Sequence, residues 1–304
     1  MRVDRRSQTR AGWNRVRGAV AAGLAAALLG VCAAPAAGTF PGDDGVIVFT
    51  QVSAFGASGE LASVNPDGSG LTTLPLGSGN AFATFSASGQ TLVFTCGSAL
   101  CTAKADGTKK EKLPRDGRQR WPSFSGDGKM LAYVKGKGTL VVAKANGKNP
   151  TVVEEAGKAW QPEFFPRGEK IAFSKDVGKT REIYSIDADG DNLTRISKGR
   201  KGFEDVNPSV HPQGKRIVFE RHRTPVSETA HVWSIKADGS GAKRILKNAG
   251  TPTFSPSGQR IAYQRIDGSA SSIAVAKKNG SASTQLTSGE DTFDLQPTWQ
   301  PAEP

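Results

Sequence analysis

The feature that most constrains this chain is a phrase that it repeats. Residues 252–265 read PTFSPSGQRIAYQR, and ungapped counterparts stand at ATFSASGQTLVFTC (83–96), PSFSGDGKMLAYVK (122–135), PEFFPRGEKIAFSK (162–175) and PSVHPQGKRIVFER (208–221). A second phrase trails each copy, as in LCTAKADGTK (100–109), IYSIDADGDN (183–192) and VWSIKADGSG (232–241). Its glycines, at 68, 107, 147, 190, 239 and 280, are spaced 39, 40, 43, 49 and 41 residues apart. A period near 40 built from short, alternating apolar runs is what a propeller blade needs: four antiparallel strands that cannot bury both faces alone.

In the unit 208–246 the four strands are PSVH, RIVFER, HVWSIK and AKRIL. The links SPSG and ADG are hairpin turns, because Gly takes positive φ without steric cost and Asp or Asn bonds the nearby backbone. They need no ligand to explain them. The chain's two ends complement each other: TFPGDDGVIVFTQ begins at the turn with no opening strand, whereas FDLQPTWQP is an opening strand with nothing after it. The expectation is an all-β, six-bladed β-propeller with four-stranded antiparallel blades. Strand 294–300 joins the N-terminal blade and closes the ring, which leaves no open sheet edge.

These phrases resemble those of the TolB-type six-bladed propellers, with the closest agreement at PEFFPRGEKIAFSK and EIYSIDADGDNLTRI. The resemblance covers the region after residue 36 and implies the propeller alone, without the α/β domain that TolB carries ahead of its own. It is specific for fold and carries little about activity.

Residues 1–36 are set apart by a basic stretch followed by GAVAAGLAAALLGVCAAPA, which reads as a cleaved secretory signal peptide with its site after Ala34-Pro35-Ala36. A retained anchor and a lipid on Cys32 are the alternatives. The expected domains are therefore a signal at 1–36 and a propeller at 37–304, exported to the periplasm, the cell envelope or the extracellular space. Removing the signal lowers the formal charge from +12 to +7. The remaining cations are interspersed with acids, so nucleic acid is not an expected partner. No membrane span is expected after cleavage, and the protein reads as a monomer. Export also leaves two cysteines, Cys96 and Cys101, flanking a hairpin loop; the expectation is a disulfide, the alternative two buried thiols.

A search for chemistry returns little. There is no G-x-S-x-G nucleophile elbow, no Gly-rich phosphate loop and no C-x-x-C pair, so no catalytic residue, cofactor or metal is expected. Of the three histidines, His211 fills a turn position held by Ser or Phe elsewhere. His222 and His231 bracket the loop ERHRTPVSETAH and could meet across its base. Asp187, Asp189 and Asp191 have calcium-like spacing, but the Gly falls too early for an EF-hand loop, and five sister turns manage with fewer acids.

Binding residues are sought on the loops leading into each first strand and on the middle hairpins, which share one face around the channel. The position before the repeated Pro forms a ring: Phe82, Trp121, Gln161, Asn207, Thr251 and Gln296. Arg118, Arg120, Trp160, Phe203, Glu204, Asp205 and Asp294 cluster around it. Aromatic and Arg residues beside amides are the types that anchor interfaces; alternatively, Trp121 and Trp160 wedge between blades. The column after the Pro reads Thr84, Ser123, Glu163, Ser209, Thr253 and Thr298, where Glu163 is either paired with a cation or open to a ligand. The reading is an exported, non-enzymatic binding propeller for a protein or peptide, with a small ligand or sugar as a further option. The alternatives are a metal-assisted lyase or lactonase using His222, His231 and Glu163, and a carbohydrate or cell-wall binder.

Overall fold

The repeat becomes strands of near-constant length. The computed structural model describes residues 40–53, 58–114, 116–224, 229–268, 270–289 and 291–302; the expected signal peptide at 1–36, with the expected cleavage site and Cys32, lies outside these residues. Three strands come first, β1 (Asp43–Ser53), β2 (Gly59–Val64) and β3 (Thr72–Thr73). Four antiparallel sheets of four strands follow. The first holds β4 (Asn80–Phe85), β5 (Thr91–Cys96), β6 (Ala99–Lys104) and β7 (Glu111–Lys112), and the second β8 (Gln119–Phe124), β9 (Met130–Lys135), β10 (Thr139–Lys144) and β11 (Thr151–Val152). The third holds β12 (Ala159–Phe164), β13 (Lys170–Val177), β14 (Thr180–Asp187) and β15 (Thr194–Arg195), and the fourth β16 (Phe203–Val210), β17 (Arg216–Arg223), β18 (Ala230–Lys236) and β19 (Lys243–Lys247). The remaining strands, β20 (Ala249–Phe254), β21 (Arg260–Asp267), β22 (Ala270–Lys277), β23 (Thr284–Gln285) and β24 (Thr292–Ala302), share an eight-stranded sheet with β1–β3. Within it β24 pairs antiparallel with β1, and a single parallel bridge, Ser271 to Phe293, links β22 to β24. No α-helix occurs among the described residues.

Six turns of the second phrase hold themselves. In each, Asp67, Asp106, Asn146, Asp189, Asp238 or Asn279 accepts the N–H two residues on, at 2.8 to 3.1 Å. This is the local bond that makes Asx residues turn formers. The calcium-like stretch is one of these turns: Asp187 accepts from Lys170 Nζ at 2.5 Å and Asn192 Nδ2 at 2.7 Å. No group of three or more His, Cys or acidic residues placed to hold a metal occurs among the described residues.

Because alternate residues of a strand face opposite ways, each blade offers an apolar face to each neighbour. The core is accordingly divided into inter-blade packs. Val93 and Leu100 meet Phe124 and Tyr133; Ala132 and Leu140 meet Phe164 and Phe173; Ala172 and Ile183 meet Val210 and Phe219; Val218 and Val232 meet Phe254 and Ile261. Two further packs join Ala262 and Ile273 to Phe49 and Trp299, and Val48 and Leu61 to Phe85 and Phe94. Each fully buried Phe, Ile or Leu contributes roughly 1.5–3 kcal/mol.

Cys96 and Cys101 are joined by a disulfide. The loop between their strands is only Gly97-Ser98, so Cys96 opposes Ala99 and Cys101 opposes Phe94. The cysteines are diagonal rather than facing.

Candidate functional site

The six residues of the column before the repeated Pro, a position held by Ala83 in the first blade, share one backbone property. Phe82, Trp121, Gln161, Asn207, Thr251 and Gln296 all have left-handed φ, between 42° and 59°. Each stands where its first strand slips register, for instance between Arg120 and Ser123 or between Val206 and Ser209. These are β-bulges, and a bulge withdraws a main-chain N–H from its own ladder.

A buried N–H must find another acceptor, and the preceding blade supplies it. Thr50 Oγ1 accepts from Phe82 N at 3.4 Å, Gln161 Oε1 from Asn207 N at 3.2 Å, and Glu220 Oε2 from Thr251 N at 3.0 Å. The next column repeats the device: Ser123 Oγ accepts from Phe164 N, Glu163 Oε1 from Val210 N at 2.8 Å, and Ser209 Oγ from Phe254 N. Glu163, fully buried, is thus a main-chain acceptor between the third and fourth blades.

The ring's side chains divide into two arcs. On the first three blades Trp121 packs against Val134 with Phe82 and Trp160 around it; the Trp121–Trp160 rings meet edge-on at 5.4 Å. Arg120 lies over Trp121 at 4.5 Å and Arg181 over Trp160 at 4.7 Å, both cation–π distances. Trp121 is 1% exposed. It supports half-buried Phe82 and Trp160, which pack against it.

The second arc is ionic. Trp160 Nε1 donates to Asp176, which also accepts from Arg181; Arg181 reaches Glu204 on the next blade at 3.7 Å. His222 lies between Glu204, 3.5 Å from Nε2, and Glu220, 3.0 Å from Nδ1. Burial works against the charged ring, but the two carboxylates outweigh it and raise the His222 pKa to about 10. Burial likewise opposes ionisation of Glu204 and Glu220, yet their bonds to His222 hold both below the usual carboxylate range. Asp205, fully buried, takes two bonds from Arg221, whose guanidinium stacks on Trp233 at 4.6 Å.

His222 and His231 do not form a pair. His222 opposes Ala230 and His231 opposes Arg221, so adjacent register places their side chains on opposite faces of the sheet. His231 Nδ1 accepts from Asn248 N. His222 is instead held at both ring nitrogens by Glu204 and Glu220. His211 Nδ1 accepts from Gln213 N and its Nε2 bonds Gly258 O at 3.2 Å, a turn-to-turn contact. A Cβ at Gly258 would lie 2.6 Å from that nitrogen, so only Gly fits there.

The ring residues Gln161, Asn207 and Gln296 are buried, leaving Phe82, Arg118, Arg120, Trp160, Phe203, Glu204 and His231 as the part of the predicted set that solvent reaches. Glu220 escaped sequence reasoning although its column held the signal: it is the one acid among Thr50, Thr95, Val134, Ser174 and Gln264. Two cavities of ≈ 600 and ≈ 500 Å³ lie on the opposite, turn-bearing face, lined by Arg167, Glu169 and Lys170. Their walls are the turns already accounted for, and the mouth remains the better candidate because bonded rings and rim aromatics converge there.

This architecture defines the class, a β-propeller of four-stranded blades. The profile of the TolB beta propeller domain matches residues 97–303, and the chain belongs to that family. It is 26% identical over 132 residues to the Tol-Pal system protein TolB of Anaeromyxobacter dehalogenans, covering 43% of this chain and 29% of that protein. An uncharacterized protein of Agrobacterium fabrum is 27% identical over 135 residues, covering 43% of this chain and 44% of its own. The chain thus matches less than half the length of these relatives. Among solved structures, TolB from Acinetobacter baumannii superposes with a TM-score of 0.73 at 17% identity, covering 86% of this chain and 68% of that one. At that identity the likeness concerns the fold alone. No helix among the described residues is long and apolar enough to cross a membrane.

Proposed function

We propose that the protein is an exported, non-enzymatic binding propeller that recognises a protein or peptide at the mouth face. The observation that carries this reading is the half-exposed pair Phe82 and Trp160, set on a ring whose backbone is bonded from blade to blade. Aromatic anchors beside guanidinium groups on a rigid scaffold are what interface hot spots consist of. The acids and His222 near the mouth already hold strands together, which leaves them poorly suited to proton transfer. The name of the TolB relative assigns it to a system of components, which agrees with a binding role. The test is capture by the exported protein from its own envelope and culture fractions, with Phe82→Ala/Trp160→Ala as control. A specific protein retained by the native chain and lost by the control supports the reading; equal retention by both overturns it.

The same proposal takes the eight-stranded sheet as two blades, six in all, with β24 closing the ring. The β24–β1 pairing, the Phe82–Thr50 bond and the apolar packs on either side of β1 support this. Truncation after Gly289 should abolish a single cooperative thermal transition; its persistence would exclude closure by β24.

A further inference from the structure

The mouth face is electrically lopsided in a way the fold does not require. Four middle hairpins turn on a left-handed Gly, at Gly97, Gly136, Gly178 and Gly268, with φ between 58° and 66°. The turn dictates that Gly and leaves the next residue free. In sequence that residue is Ser98 and Ser269 on two blades but Lys137 and Lys179 on the second and third.

Two leading loops make the contrast sharper. Ile196 and Ser197 both donate to Ile183 O, and Ser197 Oγ accepts from Ile183 N at 2.9 Å. Leu286 and Thr287 both donate to Ile273 O, and Thr287 Oγ1 accepts from Ile273 N at 2.9 Å. Both loops then run to a left-handed ring residue, Asn207 or Gln296. Between identical anchors one reads Lys198-Gly-Arg200-Lys201 and the other Ser288-Gly-Glu290-Asp291. Matched backbone anchoring with opposite charge points away from a folding role for the charge.

Two sets of cations stand out on the mouth loops of the second to fourth blades. Lys135, Arg181 and Arg221 are committed to Asp116, Asp176 and Asp205. Arg118, Lys137, Lys158, Lys179, Lys198 and Arg200 are exposed and make no ion pair among the described residues. Contacts tie these loops into one arc. Gly136 N donates to Arg118 O, Thr139 bridges to Lys158, Arg181 pairs with Glu204, and Arg221 donates to Lys198 O. Across the mouth, Asp267 and Asp291 are exposed instead, Asp267 with Arg265 as its partner at 4.0 Å.

Resting on the protein-binding reading, we infer that this arc docks an acidic segment of the partner, the partner's adjoining part being neutral or basic where Asp267 and Asp291 face it. A face of two signs selects a partner whose charge is in blocks, which a protein segment supplies. A uniformly charged surface or polymer would meet repulsion over the acidic side.

Short synthetic peptides test this by fluorescence anisotropy: an all-Glu peptide, a Glu-block/Lys-block peptide, and an alternating Glu/Lys peptide of the same composition as the block form. The block peptide should bind about tenfold more tightly than the alternating one and lose that advantage in about 0.3 M salt. The variant Lys137→Ser/Lys179→Ser/Lys198→Ser/Arg200→Glu/Lys201→Asp, which borrows residues from the sister loops, should remove it while keeping the melting temperature. Equal affinity for block and alternating peptides overturns the inference, as does block-peptide binding that survives in the variant. Tighter binding to phosphatidylglycerol vesicles than to the block peptide also overturns it. If the variant still captures the partner held through Phe82 and Trp160, the acidic-segment inference falls and the binding reading stands. If block-peptide binding follows loop charge but native capture ignores Phe82 and Trp160, that reading falls alone.

Discussion

The aromatic and ionic arcs of the mouth solve one steric problem in two ways. Both occupy the bulge column, and both surround a left-handed residue. On the second blade the space is filled by Trp121 over Val134; on the fourth, by Asn207 bonded to Glu220, itself bonded to His222. The first solution depends on volume, the second on every charge keeping its partner. The repeat therefore prescribes the bulge while leaving its filling free, and the two fillings differ in how they respond to pH.

That difference can be broken by substitution. Trp121→Ala should cost about 3–5 kcal/mol through the cavity it opens, evenly across pH. Glu220→Ala should cost a similar amount, about 3–5 kcal/mol, because it leaves His222 with Glu204 alone and strands the buried Asn207 and Thr251 donors. The pH profile separates the two. The folded His222 pKa is raised from 6.5 to about 10, so its contribution is complete below the unfolded value and is lost as pH rises toward the folded one. Glu204 and Glu220 are lowered from 4.5, so theirs is present above that value and fades as pH falls below it. Denaturant midpoints of Trp121→Ala should keep the native alkaline decline, and those of Glu220→Ala should flatten it. Parallel curves for both variants would erase the distinction between the arcs.

A second pair sharpens the comparison at closer range. Asp205 and Asp294 occupy equivalent places two residues before their ring residues, opposite Arg221 and Gln51 respectively. Arg221 gives Asp205 two charged bonds, whereas Asp294 Oδ1 takes one from Gln51 at 2.9 Å and one from Thr292 at 3.2 Å. Asp205→Asn leaves Arg221 buried without its counter-charge and should cost about 3 kcal/mol. Asp294→Asn keeps an acceptor oxygen for the Gln51 and Thr292 donors and loses only its charge, so it should cost no more than about 1 kcal/mol. Equal losses in chemical denaturation would mean that Gln51 serves as well as a guanidinium.

Much of the scaffold was legible because turn chemistry is local. SPSG and ADG announce themselves through Gly and Asx, and the Pro column put six residues of one backbone conformation into one register. What the column could not reveal was the register slip beneath it, since a bulge is a relation between two strands. The partner blade's role was hidden for the same reason: Asn207 N meets Gln161, 46 residues away. His222 and His231 looked like a pair from their spacing around a loop, yet strand alternation sends them to opposite faces. Glu163 and Glu220 stood out only as odd members of their columns, and it took neighbouring blades to show that both accept main-chain N–H groups.

The smallest expected effect concerns the most strained member of the ring. Thr251 is β-branched and has φ of 42°, where such residues are genuine outliers. Its main-chain N–H is satisfied by Glu220, but its buried Oγ1 has no hydrogen-bond partner among the described residues. Both facts set it apart from Asn207, a residue type that tolerates left-handed backbone. Thr251→Gly keeps the N–H bond, removes the unpartnered hydroxyl and relieves the strain, so stability should rise by up to about 1 kcal/mol. Asn207→Gly at the equivalent position gains no such relief and loses the bond to Glu220, so it should fall by about 1 kcal/mol. Opposite signs at two positions with the same backbone would show that the bulge sets the conformation and the side chain sets only its energy; a loss at both would mean that Thr251 packing outweighs its strain.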